Sequence, residues 1–308
     1  MLAVVTGATG FVGRAVCARF VAAGWRVRGL ARHLPAQAIV GTEFAALDLE
    51  RDDPRPALEG AQVVVHLAGR AHILQERSGD PRAAFQSANA DATESLAQAM
   101  RERGIGRMVF ASSAKVLGDS SPGRPFTETD AANPQDDYAR SKWDAEQRLR
   151  KILPGSTILR PPLVYGPGVG ANFLRLVGLV DRGIPLPLAS VRNRRSLVFV
   201  RNLADVMLAC ATNPATSGAT YLVSDGEDVS TPQLLRLIGE HLGRPARLWP
   251  CPPALLRLAA AALGKGAEAD RVLGSLELDS RSIRSTGWTP ACSMVEGLRQ
   301  TMAWYRRA

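Results

Sequence analysis

The chain has 308 residues, 46% hydrophobic and 22% charged, which suits a globular protein of one large domain or two joined ones. Its net charge is +9, and only four of its 38 basic residues are lysines; the arginines are dispersed, with no basic helical stripe and no interleaved aromatics, which argues against a nucleic-acid partner. Cys17, Cys210, Cys251 and Cys292, and His33, His66, His72 and His241, lack metal-ligand spacing, so reduced thiols and no metal are expected.

The first element is carried by "VVTGATGFVGRAV", Val4 to Val16. Leu2 to Val5 reads as a buried strand, and Phe11, Val12, Ala15, Val16 and Phe20 share one helical stripe. Between them lie Gly7, Gly10 and Gly13. Such a turn lets backbone approach a ligand, and the N–H groups of the following helix favour an anion such as a dinucleotide pyrophosphate. The same spacing also suits a tight turn with no ligand. The glycines break the N-terminal apolar run and no basic segment precedes it, so no secretory signal is expected.

Arg26–Ala31 reads as the second strand. An acidic residue at its end would bind an adenosine ribose and select NAD, whereas an arginine accommodates the 2′-phosphate of NADP. Ala31 stands at that position and Arg32 follows, with Arg14 able to assist, so NADP(H) is favoured. Arg32 stacked on adenine in an NAD(H) site is the alternative. Further strands are predicted at Glu43–Leu47, Gln62–His66, Arg107–Ala111 and Thr157–Arg160, with helices at Phe85–Arg103 and Tyr138–Lys151. Short strands at Ser196–Val200 and Thr220–Val223 are expected to rejoin the main sheet. The apolar run Pro252–Leu263 holds Arg257 and is too short to span a membrane; a core or lid helix is expected, in a cytoplasmic protein.

This alternation implies an α/β fold, a doubly wound parallel sheet with crossover helices. Residues 1–165, rejoined by about 196–225, would form a dinucleotide-binding domain. Residues 166–195 and 226–308 would form a smaller, mainly helical substrate domain, with the ligand cleft between the two.

Chemistry concentrates in two stretches. "FASSAKVLGD" brings Ser112 and Ser113 to the carboxyl end of a strand, where open α/β sheets bind ligands. "DYARSKWDAE" places Tyr138 and Lys142 four apart on one helical face. A nearby ammonium lowers a phenol's pKa, so Lys142 is expected to let Tyr138 exchange a proton with a sugar hydroxyl at neutral pH, with Ser113 bonded to the same oxygen. A surface Tyr-x-x-x-Lys pair is common on its own; the glycine turn and the serines upstream give this one its meaning.

As a set, "TGATGFVG", "VVHLAGRAH", "SSAKVLG", "YARSK", "LRPPLVYGPG", "NRRSLVFVRNLADV" and "YLVSDGEDVSTPQLLRLI" resemble the extended short-chain dehydrogenase/reductases of the nucleotide-sugar epimerase/dehydratase group, over essentially the whole chain. The resemblance implies a Rossmann-type fold and a catalytic Ser113, Tyr138 and Lys142. It implies that Gly7, Gly10, Phe11, Val12, Gly13, Arg32, Leu67, Ala68, Gly69, Asn89, Pro161 and Leu163 line the cofactor with Tyr138 and Lys142. Asp48 and Leu49 would flank the adenine. Asn172 and Arg195 would contact the diphosphate of a UDP-sugar beside Ser113 and Tyr138. It also implies a homodimer through the Phe85–Arg103 and Tyr138 helices. "GRAHILQE", "NRRSLV" and "LVSDGEDVST" resemble, more narrowly, bacterial UDP-sugar 4-ketoreductases that form UDP-N-acetylquinovosamine for surface polysaccharide; Leu117 departs from the tyrosine of many relatives.

Among the family's reactions, 4,6-dehydration is disfavoured, because Ala114-Lys115 stand where the dehydratases carry Asp-Glu. Ketoreduction of a UDP-4-keto-6-deoxy-hexosamine is the expectation, and NAD-dependent 4-epimerisation of a UDP-hexose is the alternative. A dinucleotide-sensing or interaction protein is the non-enzymatic one, against which the retained Tyr138 and Lys142 argue.

Overall fold

A computed structural model of the chain describes residues 1–37, 39–71, 79–264 and 266–307; His72, the end of "GRAHILQE" and Lys265 lie outside the described residues. Strand β1 (Leu2–Thr6) leads through the glycine turn into α1 (Phe11–Ala22), and β2 (Arg26–Ala31), β3 (Thr42–Ala46) and β4 (Val63–His66) follow. The next helix has three parts: α2 (Pro81–Phe85), a π turn (Gln86–Asp91) and α3 (Ala92–Glu102). It starts four residues before the predicted Phe85, because Asp80 caps it by accepting from the Ala83 N–H at 3.0 Å and Pro81 opens its first turn. That start carries no apolar stripe, so periodicity misses it. Then come β5 (Met108–Ala111), α4 (Asp137–Ile152) and β6 (Thr157–Arg160).

All seven strands of the main sheet are parallel, in the order β3-β2-β1-β4-β5-β6 and then β9 (Thr220–Leu222), which comes later in the chain. Such a sheet must be covered on both faces. Alternate residues do this: Ala3 and Val5 of β1 pack in one core with Val16, Cys17 and Phe20 of α1, while Val4 packs in the other with Leu96 and Met100 of α3 and Leu149 of α4.

After β6, Pro161-Pro162 end the ladder, since proline has no N–H to give it. Strands β7 (Leu163–Tyr165) and β8 (Leu197–Phe199) pair with each other in a separate two-stranded sheet. The expectation that both short strands rejoin the main sheet is therefore corrected: β9 does so and β8 does not. Helix α5 (Ala171–Asp181) lies between β7 and β8, and α6 (Val200–Thr212) follows β8 and covers the α1 face. Helix α7 (Thr231–Leu242) and, near the end of the chain, α11 (Met294–Tyr305) close a third core around Tyr165, Phe173 and Phe199. Between them are α8 (Pro253–Ala262), α9 (Gly266–Leu273) and α10 (Arg281–Ser285). Helix α8 has no buried residue, and Leu255 and Leu258 are exposed, so it is not the core helix that its composition allows. Among the described residues, no helix is long and apolar enough to cross a membrane.

Candidate active site

Because the strands are parallel, their carboxyl ends share one edge. The segments that follow β1, β2, β3, β4, β5 and β6 bring Gly7–Gly13, Arg32, Asp48 and Leu49, Leu67–Gly69, Ser113 and Pro161 to that edge.

The glycine turn is closed by backbone. Gly7 has φ +64°, and a Cβ on it would lie 2.8 Å from the Ala68 nitrogen; a Cβ on Gly13 would lie 2.1 Å from the Gly7 oxygen. Gly10 caps α1 with no side-chain bond, and the first turn of α1 holds no acid. Its N–H groups are thus left to an anion, which fits the pyrophosphate of a dinucleotide. Phe11 and Val12 begin α1, half-buried, and the Phe11 ring approaches Gly168. Arg32 is exposed just beyond Ala31. The Asp48–Leu49 loop lies beside it, since the Leu47 N–H donates to the Ala31 carbonyl at 2.9 Å. Glu50 N–H donates to the Asp48 carboxylate at 3.2 Å.

The Leu67 and Ala68 N–H groups both donate to Thr6 Oγ1, at 3.1 and 3.0 Å. Asn89, fully buried on the π turn, accepts from the Arg70 N–H at 2.7 Å and donates to the Arg70 carbonyl at 3.0 Å and to Ser141 Oγ at 2.8 Å. A Cβ on Gly69 would meet the Asn89 amide oxygen at 2.6 Å. π turns often mark functional sites, and this one aims Asn89 at the loop after β4.

Ser113 is buried past the end of β5 and caps a short turn, accepting from the Lys115 N–H at 3.2 Å. Its side chain hydrogen-bonds the Tyr138 hydroxyl. Helix α4 supplies Tyr138 and Lys142, and Asp136 caps it by accepting from the Ala139 N–H at 2.8 Å. Burial pushes the Tyr138 phenol up to about 12; the Ser113 bond opposes this, and the Asp136 charge adds to it. The expected lowering by Lys142 is therefore not what governs this phenol: burial does, and it favours the protonated form at neutral pH. Burial also brings the Lys142 ammonium down to about 8, with the Glu146 carboxylate opposing. Its Nζ lies 4.5 Å from the centre of the Phe110 ring.

Sequence reasoning missed the support behind these groups. Glu146, one turn beyond Lys142, is fully buried and accepts two bonds from Arg160, at 2.9 and 2.6 Å, and one from the Ser112 hydroxyl. This pair ties β6, the end of β5 and α4 together. The signal was present, since Tyr138, Lys142 and Glu146 are spaced by four along one face. Ala114 and Lys115 follow Ser113, and Lys115 is paired with Asp119 at 3.2 Å and with Asp136.

The two residues expected at the substrate diphosphate both fall on the stretch of chain between β7 and β8. Asn172 is exposed on the first turn of α5. Arg195 donates to the Arg271 and Gly274 carbonyls at 2.7 and 3.0 Å, holding the end of α9, and the Asp119 charge acts on it. Asn193 reinforces this by donating to the Val272 carbonyl at 2.9 Å. Pro161 is buried and its carbonyl accepts from the Ala114 N–H at 2.9 Å, while Leu163 is 39% exposed.

A family model described as "NAD dependent epimerase/dehydratase family" matches residues 3–224. The chain belongs to that family. It is an NAD(P)-dependent enzyme of the nucleotide-sugar epimerase/dehydratase type. It is similar to a UDP-glucose 4-epimerase of Vibrio cholerae, 36% identical over 98% of this chain and 95% of that protein. It is also similar to a ceramide reductase of Caulobacter vibrioides, 27% identical over 99% of this chain and 94% of that one. Its fold matches a Thermus thermophilus UDP-glucose 4-epimerase solved in complex with NAD, with a TM-score of 0.77 at 24% identity over the whole of both chains.

Proposed function

We propose that this enzyme carries out carbonyl–alcohol chemistry at C4 of a UDP-sugar and works as a ketoreductase on a UDP-4-keto-6-deoxy-hexosamine, in the making of surface polysaccharide. The observation that carries the reaction class is the convergence of Ser113, Tyr138 and Lys142 at the edge that holds the glycine turn. Bound along that edge by the turn, Leu67–Gly69 and Lys142, a nicotinamide dinucleotide supplies hydride exchange. The protonated Tyr138 hydroxyl gives its proton to the C4 oxygen of a ketone. Ser113 bonds the same oxygen, and Lys142 places a positive charge beside the forming alkoxide. Lys115, held by carboxylates, supports exchange at C4 over water elimination.

Ala31 and the exposed Arg32 support NADPH as the reductant. Residues 166–195 and 226–308 form the substrate lobe in this reading, where Asn172 and Arg195 take the diphosphate, and α3 and α4 pair two copies into a homodimer. The second reading, a UDP-hexose 4-epimerase, is favoured by the likeness to the Vibrio cholerae protein. Incubation with UDP-4-keto-6-deoxy-N-acetylglucosamine and NADPH or NADH, with the product followed by NMR, tests the first. Stoichiometric oxidation of NADPH and a new C4 alcohol are expected. Interconversion of UDP-glucose and UDP-galactose without added reductant, and no reduction of the ketone, would establish the second.

A further inference from the structure

His66 is fully buried at the end of β4, and the chemistry described so far does not use it. Its Nδ1 lies 2.7 Å from Thr6 Oγ1 and its Nε2 lies 2.9 Å from Thr93 Oγ1. The surrounding bonds fix every proton. Thr6 Oγ1 already accepts from the Leu67 and Ala68 N–H groups, at 3.1 and 3.0 Å, which uses both lone pairs. Its own hydrogen must therefore go to Nδ1. On the other side Thr93 donates to the Asn89 carbonyl, which can only accept, so Thr93 Oγ1 must accept from the ring. One state meets both demands: a neutral imidazole with its hydrogen on Nε2.

The line continues to the reacting residues. The Asn89 side chain donates to Ser141 Oγ at 2.8 Å, and Ser141 donates to the Tyr138 carbonyl at 2.8 Å. Each link but the last is buried. We infer that His66 is a positioning residue, a neutral strut with fixed protons that sets the glycine turn at Thr6 in register with the Asn89 π turn and, through it, with Tyr138. The ring stacks on Phe110, with centroids 5.5 Å apart, and the Lys142 ammonium lies over that same Phe110. A charged ring would lose the Thr6 bond and repel Lys142. Burial and the Lys142 charge accordingly hold the imidazole down at about 3, so the strut persists through the whole working range of pH.

The inference rests on the proposed reaction only for its kinetic arm. Nitrogen-15 NMR of the imidazole in the full chain, at pH 7 without substrate, should show a neutral ring protonated at Nε2; a ring protonated at Nδ1, or an imidazolium, would overturn the inference. Thr93→Val removes the acceptor for Nε2 while keeping the volume. It should lower UDP-sugar turnover by about 10²-fold through misplacement of Tyr138. NADPH affinity should change less than about threefold, because the glycine turn itself is intact; that bound follows from losing no direct contact. Thr93→Ser, which restores the hydroxyl, should recover turnover. Full turnover in Thr93→Val, or no recovery in Thr93→Ser, would reduce the chain of bonds to ordinary core packing. If the wild type turns over no UDP-sugar, the reaction reading fails while the ring spectrum still decides the tautomer.

Discussion

At the scale of single residues, Tyr138 is set apart by its surroundings rather than by its identity. Desolvation raises its phenol above the usual range, aided by the Asp136 charge and opposed by the Ser113 bond. A protonated phenol fits a donor to a carbonyl oxygen. Tyr138→Phe should lower turnover by about 10²- to 10⁴-fold, the usual worth of general acid–base help, with NADPH affinity nearly intact in a fluorescence titration. Near-normal kcat would remove this hydroxyl from the mechanism. Arg32, the residue on which the proposed preference for NADPH rests, is exposed just beyond β2. A charge-assisted hydrogen bond contributes about 1.5–3 kcal/mol, so Arg32→Ala should lose on the order of tenfold or more in NADPH affinity and little in NADH affinity. Equal losses for both cofactors, at one fixed salt concentration, would assign Arg32 to stacking on adenine and favour the epimerase.

At the scale of elements, the glycine turn is the most tightly built. A Cβ on Gly13 has backbone in its way at 2.1 Å, and backbone cannot swing aside like a side chain. Gly13→Ala should cost about 1–3 kcal/mol of stability, as overpacking does, and should abolish measurable dinucleotide binding. Urea unfolding and cofactor titration on the same sample check both; a variant that binds normally would show that the turn yields to the added methyl group. This element was legible in the sequence because its strand, its three glycines and its helical stripe are contiguous. So was the placement of Tyr138 and Lys142 four residues apart on α4. What was illegible depends on residues distant in sequence. The partner of β8 is β7, more than 30 residues earlier in the chain. The use of Arg195 as a clamp on α9 depends on carbonyls some 76 residues away. Thr6 and Thr93 meet His66 across 60 and 27 residues, and no local pattern records such a meeting.

At the scale of the whole molecule, one buried carboxylate links the core around Tyr165 and Phe199 to pH. Asp225 accepts from the Phe199 N–H at 3.0 Å, Asn202 at 2.7 Å and Tyr165 at 3.0 Å, yet burial outweighs these bonds and raises its carboxyl to about 6. An unfolded aspartate titrates near 3.9, so between these values the folded state binds the extra proton, and this group's contribution to stability grows as pH falls from 6 toward 4. The gain is on the order of 3 kcal/mol at most. Urea midpoints of wild type and Asp225→Asn from pH 7 to 4.5 should therefore shift relative to each other, with wild type gaining toward low pH; parallel curves would show that the carboxylate is better solvated than its burial indicates. The order of the sheet carries a different consequence. Strand β6 is complete at Arg160, but the strand that covers its edge begins at Thr220. On the ribosome, at about 5–20 residues per second, the six earlier strands emerge several seconds before that cover arrives. For that interval the nascent chain presents a bare, apolar strand edge, open to pairing with another copy of itself. An open β6 edge thus belongs to synthesis and not to the finished sheet, where β9 covers it, and slower translation between β6 and β9 would lengthen its exposure.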